Sequence, residues 1–179
     1  MIPTALVHGR TDSCSPPPQP WSCAWSRVAQ TCGLVWPSQW YCDSAFLCLC
    51  ALGIGGWMVL WITAQPTTRA WPPAPLWLWA AWVLWQPCWE ELLFRGLGQG
   101  MLREWTHART VVPCVSLANL LTSAAFGAAH LAAHAPAWAG GILLVSLLLG
   151  WCRDRWHSVI PPLALHCLYN AGFFLLLGR

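Results

Sequence analysis

Four stretches of this sequence, residues 44–68, 70–89, 111–152 and 156–178, contain no Asp, Glu, Lys or Arg. They constrain the fold more than any other feature, because an α-helix needs about 20 mostly apolar residues to cross roughly 30 Å of hydrocarbon. Together they hold about five such spans. The composition agrees: 57% of the 179 residues are hydrophobic, 8% are charged, and the mean hydropathy is +0.49. The fold class expected is all-α, a polytopic transmembrane helix bundle in a lipid bilayer.

The spans read as about Ser44 to Thr63, Leu76 through Trp79, Trp82, Trp85 and Trp89 as far as Trp105, Val111 to Ala132, Ala137 to Cys152, and Val159 to Leu177. Gly53, Gly55 and Gly56 give the first span a surface for close helix contact. "TRAWPPAP" at 68–75 and "RDR" at 153–155 read as turns. Residues 1–40 are a separate tail, expected to be loose because Pro3, Pro16, Pro17, Pro18, Pro20 and Pro37 interrupt any long helix. Residues 41–179 form the transmembrane domain.

All the basic charge is Arg, and its distribution is uneven. With five spans, Arg10, Arg27, Arg103, Arg109, Arg153 and Arg155 share one side, against Arg69 and Arg179 on the other. The bias of basic loops toward the cytoplasm then gives an N-in, C-out orientation. The absence of Lys beside abundant Trp, Ala and Pro points to a bacterial protein of the inner membrane. A net charge of +3 scattered in this way makes no nucleic-acid surface. Several of the ten Cys lie in apolar runs and no CxxC pair occurs, so neither a disulfide framework nor a structural zinc site is expected.

The ionisable groups that do enter the apolar stretches are then informative, since such groups usually face an interior cavity and serve a function. In "CWEELLFRGL" Glu91 and Arg95 are four residues apart, on one helical face, where they can pair. Glu90 points about 100° away and stays available as a general base. "FGAAH" stacks Phe126 on His130, and "HCLYN" stacks His166 on Asn170. A hairpin near Arg109 brings Glu90, 19 residues before it, level with His130, 21 residues after it; the counting does not place His166 as cleanly. Zinc hydrolysis is a rival for such a set, but no HExxH occurs and the two histidines lie on separate helices with one candidate carboxylate. No metal and no cofactor is expected. A proton-relaying transporter also uses membrane-embedded Glu and His, but no internal repeat accompanies them here.

In order along the chain, Glu90-Glu91-Leu92-Leu93-Phe94-Arg95, Phe126-Gly127-Ala128-Ala129-His130 and His166-Cys167-Leu168-Tyr169-Asn170 match EExxxR, FxxxH and HxxxN. With these motifs residues 76–178 resemble the CAAX protease and bacteriocin-processing family of glutamic-type intramembrane endopeptidases. The resemblance implies that Glu90, helped by His130, activates a water, and that His166 and Asn170 donate hydrogen bonds to the oxyanion. It implies a structural role for Glu91 and Arg95 and a packing role for Phe126. The substrate implied is a membrane-anchored protein or peptide, with a C-terminal sorting anchor as one form. The alternative is a non-catalytic membrane immunity or scaffold protein that keeps these residues for packing.

Overall fold

The computed structural model describes residues 20–63 and 75–177, and these are mostly helical. Six helices follow in order: α1 (Pro20–Thr31), α2 (Ser44–Thr63), a composite α3 (76–105), α4 (Leu117–His130), α5 (Pro136–Trp156) and α6 (Ile160–Leu177). A single 3₁₀ turn (Trp40–Cys42) precedes α2, and a short hairpin of β1 (Thr110–Val112) and β2 (Val115–Ser116) precedes α4.

Two helices, α2 with 20 residues and α5 with 21, are long and apolar enough to cross a bilayer; α6 is apolar over a shorter length. Large apolar side chains face outward on them and on α3, among them Leu52, Ile62, Trp77, Trp85 and Leu144. An outward apolar surface of this extent belongs against lipid or another protein. The "TRAWPPAP" turn falls almost entirely outside the described residues.

The buried core is built where α2, α5 and α6 meet, with Trp40, Phe46, Leu149, Cys152, Leu165 and Tyr169 at its centre. Tyr169 of α6 lies against Gly53 of α2, where any side chain would strike its ring, and its hydroxyl donates to the Leu49 carbonyl at 2.9 Å. One turn further along, Gly172 leaves room for Trp57; a Cβ there would come within 2.5 Å of the indole. Of the three glycines expected to make the close contact, Gly53 does so. Gly55 and Gly56 have open space where a Cβ would go.

Three local expectations are corrected. Residues 20–40 are not loose: α1 begins at Pro20, whose missing N–H costs nothing at a helix start, and the chain after it is pinned to the bundle; residues 1–19 of the expected tail lie outside the described residues. Val159 N–H donates to the Gly33 carbonyl at 3.0 Å, Ser158 Oγ to the Val35 carbonyl at 2.5 Å, and Arg153 Nη2 to the Thr31 carbonyl at 2.7 Å. The third expected span is α4, which starts at Leu117 rather than Val111, because Pro113 lacks an N–H and Cys114 has φ 71°, which folds β-branched neighbours into the hairpin. Ser116 then caps α4, its Oγ accepting from Asn119 N–H at 3.0 Å. Finally, "RDR" is the last turn of α5, not a connecting turn, since Arg153 and Asp154 both find partners inside the bundle; the helix stops at His157, which has φ 51°.

Candidate functional site

The site is built on α3, and α3 is not a uniform helix. Two wide π-helical segments, Ala81–Trp85 and Glu91–Gly98, interrupt it on either side of α-helical Gln86–Glu90. Pro87 accounts for the first: its ring has no N–H to donate and crowds the carbonyl four residues back. At the end of each segment an N–H reaches back five residues instead of four. Gln86 N–H bonds the Ala81 carbonyl and Gln99 N–H the Phe94 carbonyl. The carbonyls those donors would take in an α-helix, Trp82 and Arg95, are thereby freed. Both are claimed by side chains from other helices: Asn170 Nδ2 of α6 donates to Trp82 O at 3.0 Å, and Arg153 Nε of α5 to Arg95 O at 3.1 Å.

The second wide segment also keeps a polar ladder in line. Steps of four residues overshoot a 3.6-residue turn by about 40° each, so in an unbroken α-helix the ladder Glu91, Arg95, Gln99, Arg103 would drift by about 120°. Widening the turn reverses the drift, and these residues meet a matching ladder on α5. Arg95 Nη2 donates to Ser146 Oγ at 2.7 Å and to its carbonyl at 3.1 Å. Gln99 Nε2 donates to the Gly150 carbonyl and to Asp154 Oδ1, both at 2.9 Å, and Arg103 pairs with the same carboxylate. Ser116 Oγ donates to Asp154 Oδ2 at 2.6 Å, which ties in the start of α4.

At the inner end of the ladder Glu91 and Arg95 are fully buried and paired at 3.2 Å, as their spacing predicts. The guanidinium also lies 4.6 Å over the Phe126 ring. His166 joins this pair: its Nδ1 is 2.8 Å from Glu91 Oε1. Because a carboxylate accepts, Nδ1 carries the proton in that bond. The other ring nitrogen, Nε2, faces Glu90 Oε2 at 3.6 Å. His166 thus sits between two carboxylates on successive residues of α3. Glu90 is itself one-fifth exposed, accepts from Gln86 Nε2 at 3.0 Å, and borders an apolar groove along α3 formed by Trp89, Leu92, Leu93 and Leu97.

Of the residues singled out by sequence, Glu90, Glu91, Arg95, Phe126 and His166 are brought together, and Asn170 lies one turn beyond His166 on α6. His130 is next to Phe126, with ring centroids 4.5 Å apart, and stacks on His134 at 5.9 Å. Its Nδ1 bonds the Phe126 carbonyl at 2.8 Å, so Nδ1 holds the proton and Nε2 is an acceptor. Among the described residues no hydrogen bond or ion pair joins His130 to Glu90, and no three His, Cys, Asp or Glu side chains are grouped to hold a metal ion. Gln99, Ser146, Arg153 and Asp154 escaped the sequence reading. The signal was present in the four-residue steps of 91, 95, 99 and 103 and of 146, 150 and 154, but neither series looks unusual until the two helices face each other.

The charged cluster is buried among apolar helices, and Glu91, Arg95 and His166 each find an oppositely charged or hydrogen-bonding partner there, as burial requires. The comparison with known families specifies the class. A family model described as type II CAAX prenyl endopeptidase Rce1-like matches residues 70–172, and the chain belongs to this membrane-associated protease family. No curated protein and no solved structure matches it.

Proposed function

We propose that the chain is an intramembrane endopeptidase in which Glu90 activates the hydrolytic water. The observation that carries the reading is the position of Glu90: a carboxylate one-fifth exposed beside His166, opening onto an apolar groove that suits a membrane-embedded peptide stretch. Glu90 takes a proton from water as the oxygen adds to the scissile carbonyl carbon, then returns it to the departing amine nitrogen. His130 Nε2, left as an acceptor, shares that water. Asn170 Nδ2 uses one hydrogen on Trp82 O and has a second for the oxyanion. His166 donates from Nε2 only when it carries both protons, and Glu90 and Glu91 on either side balance that charge.

In this reading α2 to α6 are the five spans, the N-terminus is cytoplasmic, and the substrate is an apolar membrane segment such as a C-terminal sorting anchor. The test is cleavage by the purified chain in proteoliposomes. The probes are quenched fluorescent peptides, one set farnesylated with a CAAX end and one set unprenylated with a single apolar span. Cleavage by the wild type that is absent in Glu90→Gln is the expected result. Equal cleavage by both removes Glu90 as the base, and cleavage by neither overturns the protease reading and leaves the scaffold role.

A further inference from the structure

Arg153 has no part in the three motifs, yet it is 2% exposed and touches the site helix in the second of its two irregular segments. Its Nε donates to the carbonyl freed at Arg95, and its Nη2 donates to Thr31 O at the C-terminal end of α1. The surroundings are shaped for this arrangement. Gly33, at φ 67°, lies against the guanidinium, and a Cβ there would come within 2.6 Å of it. Gly100, two residues beyond the wide segment, has no room for a side chain because the Thr31 carbonyl occupies the space, and Gly96 lies close to the Cys32 carbonyl. One guanidinium therefore joins three elements: α5, the wide turn of α3 and the end of α1. The last of these precedes residues 70–172, the part matched by the family model.

We propose that Arg153 is a positioning residue for the reaction, holding the wide turn of α3 so that Glu90, Glu91 and Arg95 face His166, and making the docking of α1 part of that hold. The physical reason is specific to the site. A carbonyl released in a π-helical segment and left unpaired in the interior costs free energy, and the helix can recover it by reverting to α-helical bonding. Reversion would rotate everything on one side of the segment relative to the other and turn the Glu91–Arg95 pair away from His166 and Ser146. The fork of Arg153 removes that incentive by satisfying Arg95 O in the wide geometry. Arg is suited to the task because it donates in two directions at once, to Arg95 O and to Thr31 O, whereas Lys presents a single ammonium.

The inference rests on the protease reading, and its test separates the two. The wild type, Arg153→Lys and Arg153→Ala are compared in proteoliposomes with whichever of the two peptide sets the wild type cleaves, and the thermal stability of each protein is measured. Arg153→Ala is expected to lower kcat about 10- to 100-fold with KM within about twofold, the size of effect that a misplacement of about 1 Å produces. Arg153→Lys should recover part of the loss. Added guanidinium at millimolar concentration should recover more in the Ala variant, since a cleft of about 340 Å³ between α1 and α3, lined by Arg27, Thr31, Arg103 and His157, reaches the vacated position. Amide hydrogen exchange over 95–103 should speed up in Arg153→Ala and slow again with guanidinium. Unchanged kcat in folded Arg153→Ala, or a kcat loss that neither Lys nor guanidinium relieves, overturns the positioning role alone. If Arg153→Ala does not fold, Arg153→Lys decides by the same kcat and exchange readouts. No cleavage of either peptide set by the wild type overturns the protease reading and the positioning role with it.

Discussion

Glu91 and His166 share a 2.8 Å contact although they are 75 residues apart, and the same Glu91 oxygen faces the Arg95 guanidinium at 3.2 Å. The first of two adjacent glutamates is one-fifth exposed at the groove, and the second is sealed inside with a cation and an imidazole.

The two glutamates should respond differently to the same change. Glu90→Gln keeps the size and the contact with Gln86 but cannot take a proton from water, so turnover is abolished while thermal stability stays near that of the wild type. Glu91→Gln leaves Arg95 buried without its anion, which costs on the order of 3–5 kcal/mol, so the melting temperature and membrane yield fall together with activity. Parallel melting curves and cleavage rates for the two detergent-purified variants make the comparison; equal loss of stability in both would refute the division of roles.

Asn170 carries two duties and its variants should show both. Asn170→Ala deprives the oxyanion of a donor, lowering kcat about 10²- to 10³-fold. It also strips the Trp82 carbonyl of its partner, at a cost of about 1–3 kcal/mol. A purely catalytic donor would leave the melting temperature unmoved. Chemical denaturation in mixed micelles, read against single-turnover rates, detects the second component.

Close packing of α2 on α6 predicts a sharp difference between neighbouring glycines. Gly53→Ala drives a methyl into the Tyr169 ring and should destabilise by about 1–3 kcal/mol. Gly55→Ala meets open space and should be neutral or slightly stabilising, since Ala is the better helix former. Unfolding midpoints of the two variants settle it.

Outside the membrane-spanning segments, Asp43 titrates in a telling way. Its hydrogen bond from Arg155, at 2.9 Å, and then that from Ala45 N–H hold its carboxyl below the ordinary value of 3.8. A folded-state value below the unfolded one gives stability that is present above about pH 4 and lost as the pH falls through the lowered value. Asp43→Asn should flatten that acid-side slope of melting temperature against pH, and salt should weaken it in the wild type. A slope of equal steepness in Asp43→Asn would show that the loss arises elsewhere.

Orientation can be checked without a substrate. Reporter fusions after Arg109 and after Arg155 should both read as cytoplasmic and one after Arg179 as external; the reverse pattern at any of the three contradicts the five-span arrangement.

The parts of the fold legible in the sequence were those governed by one helix at a time. The absence of charge places α2, and the run from Leu76 to Trp105 reads as one long helix in spite of Pro87. The Glu91–Arg95 pair follows from spacing alone. What stayed hidden depends on two elements meeting. The wide segments of α3 exist because Asn170 and Arg153 pay for the freed carbonyls, and nothing in residues 81–98 names those partners. Pro87 was a local hint of the first. Likewise the last turn of α5 is helical because Asp154 is held by Gln99, Arg103 and Ser116; by itself an Arg-Asp-Arg sequence beside a His looks like a surface turn. His166 could not be placed by counting from that supposed turn for the same reason.

The matched ladders of α3 and α5 also decide how the protein can answer to its lipid. Helices joined by apolar side chains can slip along each other when a bilayer thins or thickens, but here a slip of one residue would strand Arg95 away from Ser146 and Gln99 away from Asp154. The two helices must therefore tilt together as a single rod. On the proposed five-span arrangement, bilayer thickness would then change how deep Glu90 sits below the membrane surface while the Arg95–Ser146 and Gln99–Asp154 contacts stay fixed.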